Sequence, residues 1–194
     1  MARPPRLQGR GALHHVIARG NERKAIFRDD RDREEYLDRI DRYRSRFHFS
    51  FYAYCLMTNH VHLVIREGSQ PLSRIMHGLQ FSYTQWFNRR HRRVGHLFQG
   101  RFKSYLIDRD QYLMALLRYV HQNPVRAGMV EKPESYLWSS DRYFRTGRGP
   151  SWLDLDSVLR VLGPNRRAAV GSYRRLMGDR SGPDYEDLIA IERG

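Results

Sequence analysis

Residues Phe49–Met57, read as FSFYAYCLM, constrain the fold more than any other part of the chain. The run is apolar or aromatic at nearly every position. An extended strand of that composition is hydrophobic on both faces, so it predicts a central strand with cover above and below. Thr58-Asn59 follows as a two-residue turn. His60–Arg66 then reads as a second strand with Val61, Leu63 and Ile65 on one face.

The flanking segments fill in the layers. Ala12–Ala18 reads as a short strand, broken by Arg19-Gly20-Asn21. Asp29 or Asp30 caps a helix whose apolar positions are Tyr36, Leu37, Ile40, Tyr43 and Phe47. After Gly68 to Pro71, the residues Leu72, Ile75, Met76, Leu79, Tyr83, Trp86 and Phe87 mark a long amphipathic helix. Residues 88–104, NRRHRRVGHLFQGRFKS, predict a loop with a hairpin or strand pair. Asp108 or Asp110 starts a further helix running to about Gln122, with Asn123-Pro124 as its stop. The order strand, helix, strand, strand, helix, strand, helix predicts an α/β (α+β) fold: a ferredoxin-like split βαβ motif, its sheet mainly antiparallel with helices on both faces. Residues 1–150 form the functional domain, with a Pro- and Arg-rich flexible start over 1–10. Residues 151–194 form a small helical extension of the same module, with helices at Ser157–Leu162 and Arg166–Met177.

Charge narrows the partner. The chain carries 35 Lys and Arg against 21 Asp and Glu, a net charge of +14. A folded domain this basic suits a polyanion, nucleic acid first. Arginine dominates, and its planar fork fits phosphate and base edges. The single cysteine, Cys55, excludes a disulfide framework and a Cys-based zinc site, and predicts a small buried residue. There is no apolar run long enough for a membrane helix and no signal-like start, so the expected place is the cytoplasm, beside the nucleoid.

His60-Val61-His62 carries the first chemical signal. On a strand, residues i and i+2 share a face, so two imidazoles stand side by side, close enough to share one metal ion. Taken alone, the triplet is matched at least as well by two polar side chains on a wet sheet face. The helix after Asp110 supplies possible partners. Leu113, Leu116, Leu117 and Val120 form its apolar stripe, and Tyr119 and Asn123 lie on the edge of that stripe, roughly 6 Å apart. An amide carbonyl suits a hard cation. Without such company, Tyr119 is a half-buried aromatic and Asn123 a helix-terminal residue before proline.

TNHVHLVI (58–65) and YVHQNPVRAG (119–128) resemble the single-tyrosine HUH transposases, and within them the REP-associated tyrosine transposases. HHVIARGNERKAIF (14–27), GHLFQGRFKS (95–104), WSS (138–140) and residues 152–177 extend the likeness over nearly the whole chain. The resemblance implies an HUH endonuclease fold, with His60 and His62 as paired metal ligands. It makes Tyr119 the nucleophile and gives Asn123 the place of the third, amide-type ligand. It implies Mg²⁺ or Mn²⁺, and two imidazoles tilt the preference to Mn²⁺. It implies single-stranded DNA hairpins from REP-like palindromes as partners, nicked and joined through a 5′-phosphotyrosine. Thr58 departs from the family, whose members often carry Pro there. Tyr112 is the rival nucleophile, but its i+4 neighbour Leu116 cannot bind a metal.

Arg89, Arg90, Arg92, Arg93, Arg101 and Lys103 form the densest basic stretch and are expected to bind the DNA backbone. Arg19 and Asn21 are candidates for reading bases. His14, His15, His91, His96 and His121 have no spacing that argues for metal, and are expected to be structural or phosphate-contacting. Two other readings fit the composition: a non-catalytic nucleic-acid binder of ferredoxin-like fold, and a nuclease in which water attacks. A monomer is favoured over a homodimer, because the C-terminal tail can cover surface that a partner otherwise would.

Overall fold

The computed structural model describes residues 11–107, 110–179 and 185. The expected flexible start, Asp108 and most of the end of the chain lie outside the described residues. Four strands, β1 (Leu13–Arg19), β2 (Ser50–Met57), β3 (His60–Arg66) and β4 (Lys103–Ile107), form one antiparallel sheet in the order β2-β3-β1-β4. Helices α1 (Asp30–Phe47) and α2 (Leu72–Arg90) cover one face. Helix α3 (Asp110–Arg126) covers the other, together with α5 (Leu155–Leu162) and α6 (Arg166–Gly178). A short helix, α4 (Asp141–Thr146), completes the order. The α+β arrangement with helices on both faces is the one the sequence pattern predicts.

Each boundary has a local cause. Asp29 caps α1, its carboxylate accepting from the Asp32 N–H at 3.1 Å. Glu67 reaches the α2 start, accepting from the Leu72 N–H at 2.7 Å. Asp154 and Asn165 cap α5 and α6 in the same way. Under α1 and α2, Val16, Val61, Leu63 and Ile65 meet Tyr36, Ile40, Leu79 and Tyr83. The Tyr36 and Tyr83 rings lie edge to face, 4.9 Å apart. Under α3, Leu113, Leu116, Leu117 and Val120 meet Cys55, Met57 and Val64, and Cys55 is fully buried as expected.

Three expectations need correction. β2 is an edge strand of the sheet, not a central one, although both its faces are buried. Its outer edge is covered by the chain after residue 137. The Leu56 N–H donates to the Trp138 carbonyl at 2.8 Å, the Ser140 N–H to the Tyr54 carbonyl at 3.0 Å, and the Asp154 N–H to the Phe51 carbonyl at 2.8 Å. A hydrophobic strand therefore reports cover, which need not be another strand.

The basic segment 88–104 holds no hairpin or strand pair. It forms a loop with one isolated bridge, Gly20 to Phe98, and then β4, which pairs with β1. Helix α3 runs through Asn123-Pro124 to Arg126 instead of stopping there. Proline removes one donor in the last turn. The packed stripe of α3 holds the helix, and the Asn123 side chain adds a donor to the Tyr119 carbonyl at 2.8 Å. Among the described residues no helix is long and apolar enough to cross a membrane.

Candidate active site

The period of two on β3 turns His60 and His62 towards α3 while Val61 and Leu63 face α1 and α2. The two imidazole rings lie 5.0 Å apart at 77°. Pairing sets Arg19 opposite His60 and Ile17 opposite His62, so His15 on β1 shares the face of His62 on the diagonal.

Each imidazole is held at its inner nitrogen. The Asn59 amide nitrogen donates to the Arg23 carbonyl at 3.0 Å, which leaves Asn59 Oδ1 as an acceptor. His60 Nδ1 lies 2.7 Å from that oxygen and must carry the proton. His60 Nε2 is then an unprotonated lone pair. His62 Nδ1 lies 3.0 Å from His15 Nε2, and His62 Nε2 is buried without a hydrogen-bond partner.

Burial pushes the His60 pKa down to about 4, helped by the Arg19 charge. It pushes His62 well below the ordinary histidine value, with the neighbouring His15, His60 and Arg19 adding to the effect. The Asn123 amide is the neighbour that opposes the shift, near His62 but without a well-formed hydrogen bond. Both rings are therefore neutral at pH 7, the form that binds a metal.

Helix α3 brings the other candidates to the same spot. The Tyr119 ring stands edge to face on His62, centroids 5.5 Å apart at 84°. Arg126 sets its guanidinium over the Tyr119 ring, 5.2 Å from the centroid. Because Asn123 Nδ2 donates to the Tyr119 carbonyl, Asn123 Oδ1 is the atom left for another partner. The rival Tyr112 lies near the start of the same helix, two turns from Tyr119, partly buried against the same core. Tyr185 packs against both Tyr119 and His15, with ring centroids 5.3 and 5.2 Å away.

This donor set fits a divalent cation. The sheet supplies a buried imidazole nitrogen without a partner and a second imidazole lone pair, and α3 supplies an amide carbonyl. Among the described residues no three His, Cys, Asp or Glu side chains converge on a metal position. The third donor of the candidate set is an amide, which such a cluster does not contain.

The expected DNA contacts divide. Arg19, Arg89, Arg92, Arg101 and Lys103 are exposed, and Asn21 is half-buried. The Asn21 N–H donates to the Leu97 carbonyl and the Gln99 N–H to the Arg19 carbonyl, both at 2.8 Å. The basic loop is thereby tied to the sheet end that carries His60. Arg90 departs from its expected role: its guanidinium pairs with Asp29 at 2.7 Å and with buried Asp32, locking α2 to the cap of α1. Arg93 lies over the Phe87 ring at 5.8 Å.

Three features escaped sequence reasoning. His15 has no helical or metal-type spacing to His62, and pairs with it through the register of β1. His121, on α3 between Tyr119 and Asn123, belongs to a buried polar network. Its Nε2 lies 2.7 Å from Ser140 Oγ, and its Nδ1 lies 2.7 Å from the Tyr173 hydroxyl, which donates to Asp141 at 2.5 Å. That network pins α3 to β2, α4 and α6. Arg126, on the same face as Tyr119, is the third. The seven-residue spacing from Tyr119 to Arg126, two helical turns on one face, was the signal available for it.

A profile of the family described as transposase IS200 like matches residues 11–123, more than half of the chain. The chain belongs to the IS200-like transposase family. The matched part of this transposase spans the whole sheet and ends at Asn123, and α4–α6 lie beyond it. A Haemophilus influenzae protein named as a REP-associated tyrosine transposase is 28% identical over 133 residues, covering 59% of this chain and 76% of that one. A solved REP-associated tyrosine transposase bound to a REP hairpin shares the fold, with a TM-score of 0.61. The match covers 77% of this transposase and 89% of that chain at 16% identity.

Proposed function

We propose that this transposase nicks and rejoins single-stranded DNA at repeat hairpins, with Tyr119 as nucleophile and with His60, His62 and Asn123 as ligands of Mg²⁺ or, better, Mn²⁺. One observation carries the reading. Tyr119 stands against His62, whose outer ring nitrogen is buried without a partner, and Asn123 lies one helical turn away.

A phenol has an ordinary pKa near 10 and attacks phosphorus poorly at pH 7. A bound divalent cation polarises the scissile phosphate and offsets developing charge. The chain supplies the rest. The neutral His60 and His62 rings, 5.0 Å apart, each offer a nitrogen lone pair that would hold the ion. The Arg126 guanidinium faces the Tyr119 ring and favours negative charge there. Tyr119 Oη bonds to phosphorus, the bond from phosphorus to the 3′-oxygen breaks, and the phenol proton ends on the leaving oxygen. The products are a 5′-phosphotyrosine and a free 3′-hydroxyl. The ester retains the bond energy, so a second 3′-hydroxyl can reverse the step without ATP. Arg19, Arg89, Arg92, Arg101 and Lys103 bind the backbone, and Asn21 lies beside them to read bases. The hairpin substrate follows the ligand of the solved fold relative.

The test is a denaturing gel with labelled hairpins from the repeats beside the gene. A protein-linked band with Mn²⁺ that disappears in Tyr119→Phe, while hairpin affinity stays, supports the reading. Free fragments alone assign the attack to water. Tight binding without any cleavage assigns the chain to hairpin binding.

A further inference from the structure

We propose that His15 is a positioning residue: it accepts a hydrogen bond from His62 Nδ1–H and so turns the bare Nε2 of His62 towards the metal. The inference rests on the metal reading above. His15 lies outside the proposed ligand set, fully buried on β1.

The geometry is that of a ring-to-ring hydrogen bond. His15 Nε2 and His62 Nδ1 are 3.0 Å apart, the ring centroids are 5.2 Å apart, and the rings are within 16° of coplanar. Two imidazoles at that spacing meet edge to edge, nitrogen to nitrogen. One of the two nitrogens must carry the hydrogen, and the choice fixes the other end of each ring.

If His15 Nε2 held it, His62 would carry its own hydrogen on Nε2. That N–H would be buried without a well-formed hydrogen bond, with only the Asn123 amide near it, and would face the cation. If His62 Nδ1 holds it, His62 Nε2 is a free lone pair. His15 then carries its hydrogen on Nδ1 and donates to the Tyr185 hydroxyl at 3.2 Å. The second arrangement satisfies every nitrogen except the one that a metal would take.

His60 is held in the same way by a different residue. Asn59 Oδ1 fixes its hydrogen on Nδ1 and frees Nε2. The two histidines thus have matched outer anchors, one on the turn before β3 and one on the neighbouring strand. Such partners set both the tautomer and the ring orientation of metal-bound histidines, and losing one typically weakens metal affinity 10- to 100-fold.

The experiment compares the full chain with His15→Phe, which keeps the ring and its packing but accepts no hydrogen bond, and with His15→Gln, whose terminal amide can accept in the same place. Two readouts are used. Nitrogen-15 NMR of the histidine rings reports the His62 tautomer at pH 7.5 without metal. Titration followed by the Mn²⁺ EPR signal reports affinity without DNA. The expected result is a hydrogen on His62 Nδ1, a roughly 10- to 100-fold loss of Mn²⁺ affinity in His15→Phe, and recovery in His15→Gln. A hydrogen on Nε2 in the parent protein overturns the inference, as does unchanged Mn²⁺ affinity in a folded His15→Phe. A parent protein that binds no Mn²⁺ contradicts the metal reading instead, and the tautomer spectrum then decides the role of His15.

Discussion

Both faces of the sheet carry a hydrophobic core, but they bury different chemistry. Under α1 and α2 the core is aliphatic and aromatic, and its buried polar groups sit at the rim: Asp32 with Arg90 and His91, and His14 with Glu67. Under α3 the polar groups are in the middle. His15 and His62 lie on the sheet, and His121, Ser140, Asp141 and Tyr173 lie beneath the helix. Burying such groups costs stability unless each finds a partner. One face therefore holds the fold together, and the other accepts a cost to fix the position of Tyr119 and the two histidines.

The contrast is open to direct attack, and the largest effect belongs to the chemistry. Tyr119→Phe is expected to cut adduct formation at least about 10⁴-fold, as loss of a nucleophile does, with the urea midpoint little changed. The opposite face should respond the other way round. Phe87→Ala is expected to cost about 3–5 kcal/mol in urea unfolding, while the protein that remains folded still forms adduct. If that variant lost its chemistry at full stability, the division between the faces would fail.

His121→Leu touches both properties. It removes the partner of Ser140 and Tyr173 and is expected to cost about 1–3 kcal/mol. Adduct formation should fall as well, because α3 loses its tie to β2 and α6. Acid provides the next probe. Folded-state pKa values are about 3 for His15 and about 4 for His60 and His121, below the ordinary 6.5. The unfolded chain then binds more protons below pH 6.5, so stability falls as pH drops. The loss is about 1.4 kcal/mol per pH unit for each such histidine, continuing until the pH nears the folded values. Urea midpoints between pH 7.5 and 4.5 measure it, and a flat profile would mean that these rings are not held neutral.

The smallest effect separates the arginines. Arg89→Ala and Arg92→Ala should each lower the salt slope of DNA binding by about 0.7–0.9 if each neutralises one phosphate. Arg90→Ala should leave the slope unchanged and loosen the contact between α1 and α2.

Much of this was legible in the sequence because periodicity is local. The period of two turned His60 and His62 to one face, and the period of 3.6 set Tyr119 and Asn123 on one edge of a helix. The place of β2 in the sheet is not legible for a physical reason: its apolar faces report cover by helices on both sides, and residues 138–154 close the edge that a further strand would otherwise occupy. His15 was invisible for the same kind of reason, since its meeting with His62 depends on which strand pairs with which, and in what register. Pro124 was read as a stop, yet packing of the Leu113–Val120 stripe outweighs one lost hydrogen bond in a final turn. The network around His121 joins four separate segments, and no spacing along the chain encodes it.

The most direct test of the central claim is peptide mapping by mass spectrometry of the complex trapped on a suicide hairpin substrate with Mn²⁺. The account predicts a nucleotide adduct on the peptide that contains Tyr119, at the Tyr119 side chain. An adduct on Tyr112 or another residue, or complete cleavage with unmodified Tyr119, would contradict it.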